Sequence, residues 1–152
     1  MPDDLSAVED WVAAFVARLE PGERTTLARS IAVELRAAQA KRITAQQNPD
    51  GSAFEARKRQ PRRLREQAGA IKRGAMFRKL RLAKRLRILE ASASEVGIGF
   101  AGRDARIARI HQEGLREKIG PRTIAYPERR LLGFTADDSE RLMDQVLAFV
   151  EG

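Results

Sequence analysis

The side chains most able to do chemistry in this sequence are cations, and they are crowded into one stretch. Of 29 Lys and Arg, 14 fall between residues 57 and 87, against a single acid, Glu66. Arg57, Lys58, Arg59, Arg62, Arg63 and Arg65 form the densest group, Lys72 and Arg73 follow, and the run continues to Arg87. The formal net charge of the whole chain is +8, so the rest of the protein is mildly acidic. Guanidinium and ammonium groups at this density bind anions, either phosphates with steep salt dependence or carboxylates on an acidic protein surface. A solvated loop that keeps the chain soluble is the plainer reading, although blocks of five or six like charges are commonly interaction segments.

Little else is equipped to react. The chain has no Cys and one His, which removes a thiol nucleophile, cysteine-liganded zinc, iron–sulfur clusters and a disulfide framework, and fits a reducing compartment. His111 falls in the last turn of an expected helix, where a partly protonated imidazole interacts favourably with the negative end of the dipole. Asp137 and Asp138 suit the first turn of another helix, and the glycines at 97, 99 and 102 lack the residues that complete a phosphate loop. The expectation is no catalytic residue, no metal and no cofactor. Nucleic-acid binding through residues 57 to 87 is the main alternative on charge. Single-strand binders stack bases on exposed aromatics, however, and this run offers only Phe77, which its spacing with Leu80 assigns to the core. No helix-turn-helix or RNP-like signature is present, so any such binding is to the backbone.

The elements that must carry these groups read as an α+β chain. At 152 residues it is long enough for one domain with its own core. Leu5, Val8, Trp11, Val12, Phe15, Val16 and Leu19 recur at helical spacing over residues 5 to 19. Pro21 suits the first turn of a second helix, whose Leu27, Ile31 and Leu35 stripe runs toward Gln46, and the two helices are expected to pack as a hairpin. The turn Asn48-Pro49-Asp50-Gly51 closes this region, and residues 52 to 75 follow as an extended, self-repelling basic arm. Residues 75 to 82 read as a short helix showing Met76, Phe77 and Leu80 to the core. Alternation over 85 to 100, with Ser92-Ala93-Ser94 as the turn, reads as a β-hairpin in which Gly97 and Gly99 weaken the strand or admit a neighbouring backbone. A third helix runs from about Asp104 to a stop at Gly114, residues 115 to 125 show no period, and Tyr126-Pro127 opens a short strand through Leu132. Thr135 with Asp138 caps the last helix. The longest unbroken apolar stretch, Trp11 to Ala17, is far below the roughly 20 residues of a membrane span. The acidic start lacks the positive region of a secretory signal, so a soluble, unprocessed product without membrane contact is expected.

Five blocks of residues, in order, carry a resemblance. They are Leu27-Ala28-Arg29-Ser30-Ile31-Ala32-Val33-Glu34-Leu35-Arg36; Arg42-Ile43 with Gln46 and Asn48-Pro49-Asp50-Gly51-Ser52; Met76-Phe77-Arg78-Lys79-Leu80; the run from Val96 to Phe100 leading through Arg106 to His111, Gln112 and Gly114; and Tyr126-Pro127-Glu128-Arg129-Arg130-Leu131-Leu132-Gly133-Phe134. Together with the basic arm they resemble the phage virion morphogenesis family, over about residues 5 to 150. Residues 115 to 125 do not align. The resemblance implies a noncatalytic structural protein of the head–tail junction, completing the tail or securing its attachment to the head. It further implies a homo-oligomeric ring, commonly sixfold, whose partners are tail tube or terminator and head connector proteins, in the virion and in the host cytoplasm during assembly. It marks Asn48, Pro49, Asp50, Gly51, His111, Gly114, Tyr126, Pro127, Gly133 and Phe134 as motif positions. On this reading Arg57 to Arg65, with Lys72 and Arg73, meet acidic surfaces of neighbouring proteins and contact DNA only secondarily, because phosphate contacts would retain DNA in a conduit.

Overall fold

Pro21 begins the longest helix because its missing N–H would be unpaired there in any case, and Glu23 Oε1 accepts from the Glu20 N–H at 3.2 Å to close the start. The computed structural model describes residues 4–57 and 75–152. Its elements are α1 Asp4–Val16, α2 Pro21–Thr44, β1 Arg87–Ala91, β2 Val96–Gly99, α3 Gly102–Glu113, β3 Arg116–Ile119, β4 Arg122–Ala125 and α4 Ala136–Glu151. The strands form two antiparallel pairs, β1–β2 and β3–β4, and the arrangement is α+β as expected. The expected cap of α4 is present. Thr135 Oγ1 accepts from the Asp138 N–H, and an Asp138 carboxylate oxygen accepts from the Thr135 N–H, both at 3.0 Å.

The helical half differs from a simple hairpin. α4 packs against both α1 and α2, and this helix, more than any direct packing of α1 on α2, joins the first two helices. Leu19, Leu27 and Val146 are buried at the centre, and Trp11, Val12, Phe15, Ile31, Leu142 and Phe149 close round them. The chain around Phe54, residues 75–86, α3 and the segment at Leu131 gather on the C-terminal half of α2. Ile43, Phe54, Met76, Leu80, Leu86, Ala108 and Leu131 form a second buried cluster there. The β1–β2 hairpin lies against α2, where Arg36 Nε donates to the Leu86 carbonyl at 2.8 Å.

Four expectations need correction. Residues 75–86 are a chain of turns, not a helix, although Met76 and Leu80 are buried as expected. The cause is local: both backbone groups of Met76 are taken by the Gln46 side chain, and Phe77 stands at φ 62, outside the helical region. In the β1–β2 hairpin the register slips between Ile88 and Glu90, which leaves Ile88 and Leu89 exposed. A Cβ on Gly99 would lie 3.2 Å from Leu89 Cδ1, so the neighbour admitted there is a side chain of the same hairpin, not a foreign backbone. Residues 115–125 form the β3–β4 hairpin, closed by Gly120 at φ 59 and Pro121, matching the preference of a two-residue turn for Gly at its first position. Residues 126–134 have no strand partner, for the reason given next.

Candidate interaction site at the root of the basic segment

A segment without ladder partners must satisfy its backbone elsewhere, and residues 126–133 do so one group at a time. The Tyr126 N–H donates to Leu115 O at 3.1 Å and the Arg129 N–H to His111 O at 2.7 Å, both at the end of α3. Gly114 stops α3 in the left-handed region, at φ 63, and a Cβ there would come within 3.0 Å of the Glu128 N atom. Side chains take over beyond this point. Asn48 Oδ1 accepts from the Arg130 N–H at 2.8 Å, Gln112 Oε1 from Leu132 at 2.9 Å and Gln39 Oε1 from Gly133 at 3.0 Å. The Gln112 amide returns a bond to Leu132 O at 2.8 Å.

Arg42 is the hub. It is 9% exposed, and its terminal nitrogens donate to the carbonyls of Gln47 and Arg130 at 2.9 Å, to Leu131 O at 2.8 Å and to Gln39 Oε1 at 2.6 Å. Gln39 and Arg42 are three apart on α2 and Gln46 follows four later, so all three reach one side of the helix end. Among the described residues the ion pairs are Arg85–Asp104, Arg106–Glu117 and Arg109–Glu113, so Arg42 spends its charge on carbonyl dipoles. Burial pushes its pKa down, and the more distant Asp138 charge partly offsets this.

The turn after α2 is equally constrained. Gln46 takes φ 58, an uncommon setting for a residue other than Gly or Asn, and its amide is locked by Ile43 O at 2.7 Å and Met76 O at 2.9 Å. Gly51 at φ 88 completes the Asn48–Ser52 turn, in which Asp50 Oδ1 accepts from the Ser52 N–H at 2.9 Å and from its hydroxyl, and the hydroxyl bond does most to hold the Asp50 pKa down. Pro49 packs so closely on Gly133 that a Cβ on the glycine would sit 2.4 Å from Pro49 Cγ.

These contacts fix both ends of the basic segment. Arg129 is 4% exposed and donates to Glu55 O at 2.7 Å and Ala56 O at 3.3 Å, while its third nitrogen faces His111 Nδ1 at 3.3 Å. The returning chain is held by Gln46 at Met76, and the rings of Phe54 and Phe77 meet edge-on at 5.7 Å between centroids. His111 lies between Phe77 and Tyr126, at 4.8 and 5.0 Å. Burial first, then the charges of Arg129 and Arg57, lowers its pKa to about 4. The expected partly protonated imidazole at a helix end is therefore corrected to a neutral ring that accepts from an arginine.

Of the sequence-identified residues, Asn48, Pro49, Asp50, Gly51, His111, Gly114, Tyr126 and Gly133 are brought into this junction. Phe134 points away, 44% exposed, toward a groove between α2 and α4, and no contact assigns a role to Pro127. Arg57 is exposed at the root of the segment. Lys58, Arg59, Arg62, Arg63, Arg65, Lys72 and Arg73 lie outside the described residues. Sequence reasoning gave no role to Gln39, Arg42, Gln46, Gln112 or Arg129. The available signal was a set of long polar side chains on the otherwise apolar side of α2 and α3. Among the described residues no three carboxylate or imidazole groups could hold a metal, and no described helix is long and apolar enough to cross a membrane.

The geometry is that of a rigid mount for a cationic segment, with a histidine too weakly basic for acid–base work near neutral pH. Residues 3–151 match the phage virion morphogenesis family. The chain is 34% identical over 152 residues to the tail completion protein S of Escherichia phage P2, covering 98% of this chain and 99% of that protein. No solved structure matches.

Proposed function

The chain belongs to the phage virion morphogenesis family, and on that premise we propose that it is a noncatalytic tail completion protein. It acts at the head–tail junction as a homo-oligomeric ring, sixfold to match the tail tube. Tail tube or terminator proteins lie on one side and head connector proteins on the other. The observation that carries this reading is the near end-to-end likeness to a tail completion protein. The mount described above supports it: Arg129 and Gln46 hold both ends of a cation-rich segment at one place, a form suited to reaching a neighbouring subunit.

Sedimentation of the purified protein with and without tail particles tests the proposal. A discrete oligomer that co-sediments with tails is expected. Replacing Arg57, Lys58, Arg59, Arg62, Arg63 and Arg65 by Ser should weaken that attachment, most strongly at low salt, where charge attraction is least screened. A protein that ignores tails and binds duplex DNA with a steep salt dependence supports the second reading, a nucleic-acid-binding protein acting through residues 57 to 87. That reading is favoured by charge density alone.

A further inference from the structure

A recess of about 450 Å³ lies between α3 and β3, lined by the apolar side chains of Ala105, Ile110 and Leu115 and by Arg106, Arg109, Arg116 and Glu117. At about 100° per residue, Arg106, Arg109 and Glu113 fall on the side of α3 opposite His111 and buried Ala108, so the recess is distinct from the junction at the root of the basic segment. Cations outnumber acids here. Residues 102–125 hold six Lys and Arg against Asp104, Glu113 and Glu117, and all three acids are already paired. Asp104 bonds to Arg85 at 2.7 Å, outside this stretch. Glu117 engages only Nη2 of Arg106, at 2.7 Å, and Glu113 only Nε of Arg109, at 3.2 Å, so both guanidinium groups keep further N–H donors. Arg103, Arg116, Lys118 and Arg122 are exposed and have no acid partner among the described residues.

We infer that the α3–β3 recess binds an acidic side chain carried on a partly apolar segment of another protein, with the carboxylate on Arg109 and Arg116 and the neighbouring apolar side chain on Ile110 and Leu115. The planar fork of an arginine suits a carboxylate, and two arginines line the same recess with donors to spare. Two observations select a peptide over nucleic acid. The apolar lining, with Ile119 51% exposed on the same β3–β4 hairpin, is surface that phosphates do not use. Residues 101–125 also contain no Phe, Tyr or Trp on which a base could stack. Pairing of this surface with itself would set like charges together. The inference depends on neither the ring nor attachment to tails.

The test uses the full chain with Arg57, Lys58, Arg59, Arg62, Arg63 and Arg65 replaced by Ser, so that the arm does not capture the probe. Fluorescence anisotropy follows a short labelled peptide alternating Glu and Leu, a peptide of the same charge alternating Glu and Ser, and a duplex DNA. The Glu–Leu peptide should bind saturably and several-fold tighter than the Glu–Ser peptide, with affinity falling as salt rises. Arg116→Ser should weaken it several-fold and Arg109→Ser with Arg116→Ser more strongly still, while Arg29→Ser on the exposed surface of α2 leaves it unchanged. Arg116 has no acid partner and Arg109 gives up one surface pair, so thermal melts of these variants should match the parent. No saturable binding, equal affinity for the two peptides, or binding untouched by loss of both arginines overturns the proposal. So does a preference for the duplex that the same substitutions abolish, which makes this a phosphate surface. An oligomer of the chain alone that Arg116→Glu dissociates overturns it too, since the occupant is then a second copy.

Discussion

Around Leu27 and Val146 the core is made of helix faces alone, whereas around Ile43 and Leu131 it is held by Gln39, Arg42, Gln46, Gln112 and Arg129 bonding to irregular backbone. The first arrangement needs only apolar residues at three- and four-residue steps, tolerates exchange among them, and specifies helices. The second fixes particular turns, because each buried amide or guanidinium has one arrangement of carbonyls and N–H groups that satisfies it. Eight of the ten positions that the resemblance marks gather in the second region, where Arg129 and Gln46 hold the ends of the cationic segment. The molecule thus spends generic packing on its helical half and specific polar bonding where its chain must leave and return at a fixed place.

Substitutions can break this contrast, and the largest effect is expected at its hub. Arg42→Met keeps the bulk but removes a donor from the carbonyls of Gln47, Arg130 and Leu131, each buried group left unpaired costing about 1–3 kcal/mol, offset in part by relief of a buried charge, while Gln39 Oε1 keeps the Gly133 N–H. A net loss on the order of 4 kcal/mol in urea unfolding is expected. A loss below about 1 kcal/mol would show that the network is ornamental. Gly133→Ala forces a methyl group onto Pro49 and should cost about 1–3 kcal/mol, the range for overpacking. On the other side of the comparison, Phe15→Ala removes a half-buried ring packed at a tilt against Trp11, 4.5 Å between centroids. Its cost should be about 2 kcal/mol, below the 3–5 typical of a fully buried phenylalanine, with the junction unaffected.

The smallest effect is a pH dependence confined to the junction. His111 titrates near pH 4 when folded and near 6.5 when free, so the unfolded chain takes up a proton first as pH falls. Stability from its neutral ring is complete above about pH 6.5 and declines toward pH 4, by about 1 kcal/mol once screening at this half-buried site is allowed for. Urea midpoints of the parent and His111→Gln should converge or diverge across that window. Parallel curves would place the acid sensitivity elsewhere.

The same contrast explains what could be read without coordinates. The stripes of α1, α2 and α4, the Thr135 cap and the Gly114 stop are local patterns with one physical reading each, and they stand where expected. What pattern could not give is α4 lying on the first two helices, which is long-range. Nor could it give the turns at 75–86, where a glutamine 30 residues earlier in the chain takes the Met76 backbone away from any helix. Residues 126–132 failed as a strand for the same reason, because their partners are side chains from α2, α3 and the turn at Asn48. The β3–β4 hairpin was within reach, since Gly120-Pro121 is a usable turn signal, but its strands are only four residues each.

The central claim is that this chain finishes a tail. Electron microscopy of lysates from a phage with a clean deletion, beside the same deletion complemented in trans, tests it most directly. The account predicts filled heads and assembled tails that are defective at the head-proximal end or fail to stay joined, with infectivity restored by the complementing chain. Normal joined virions and an undiminished titre from the deletion alone would contradict it.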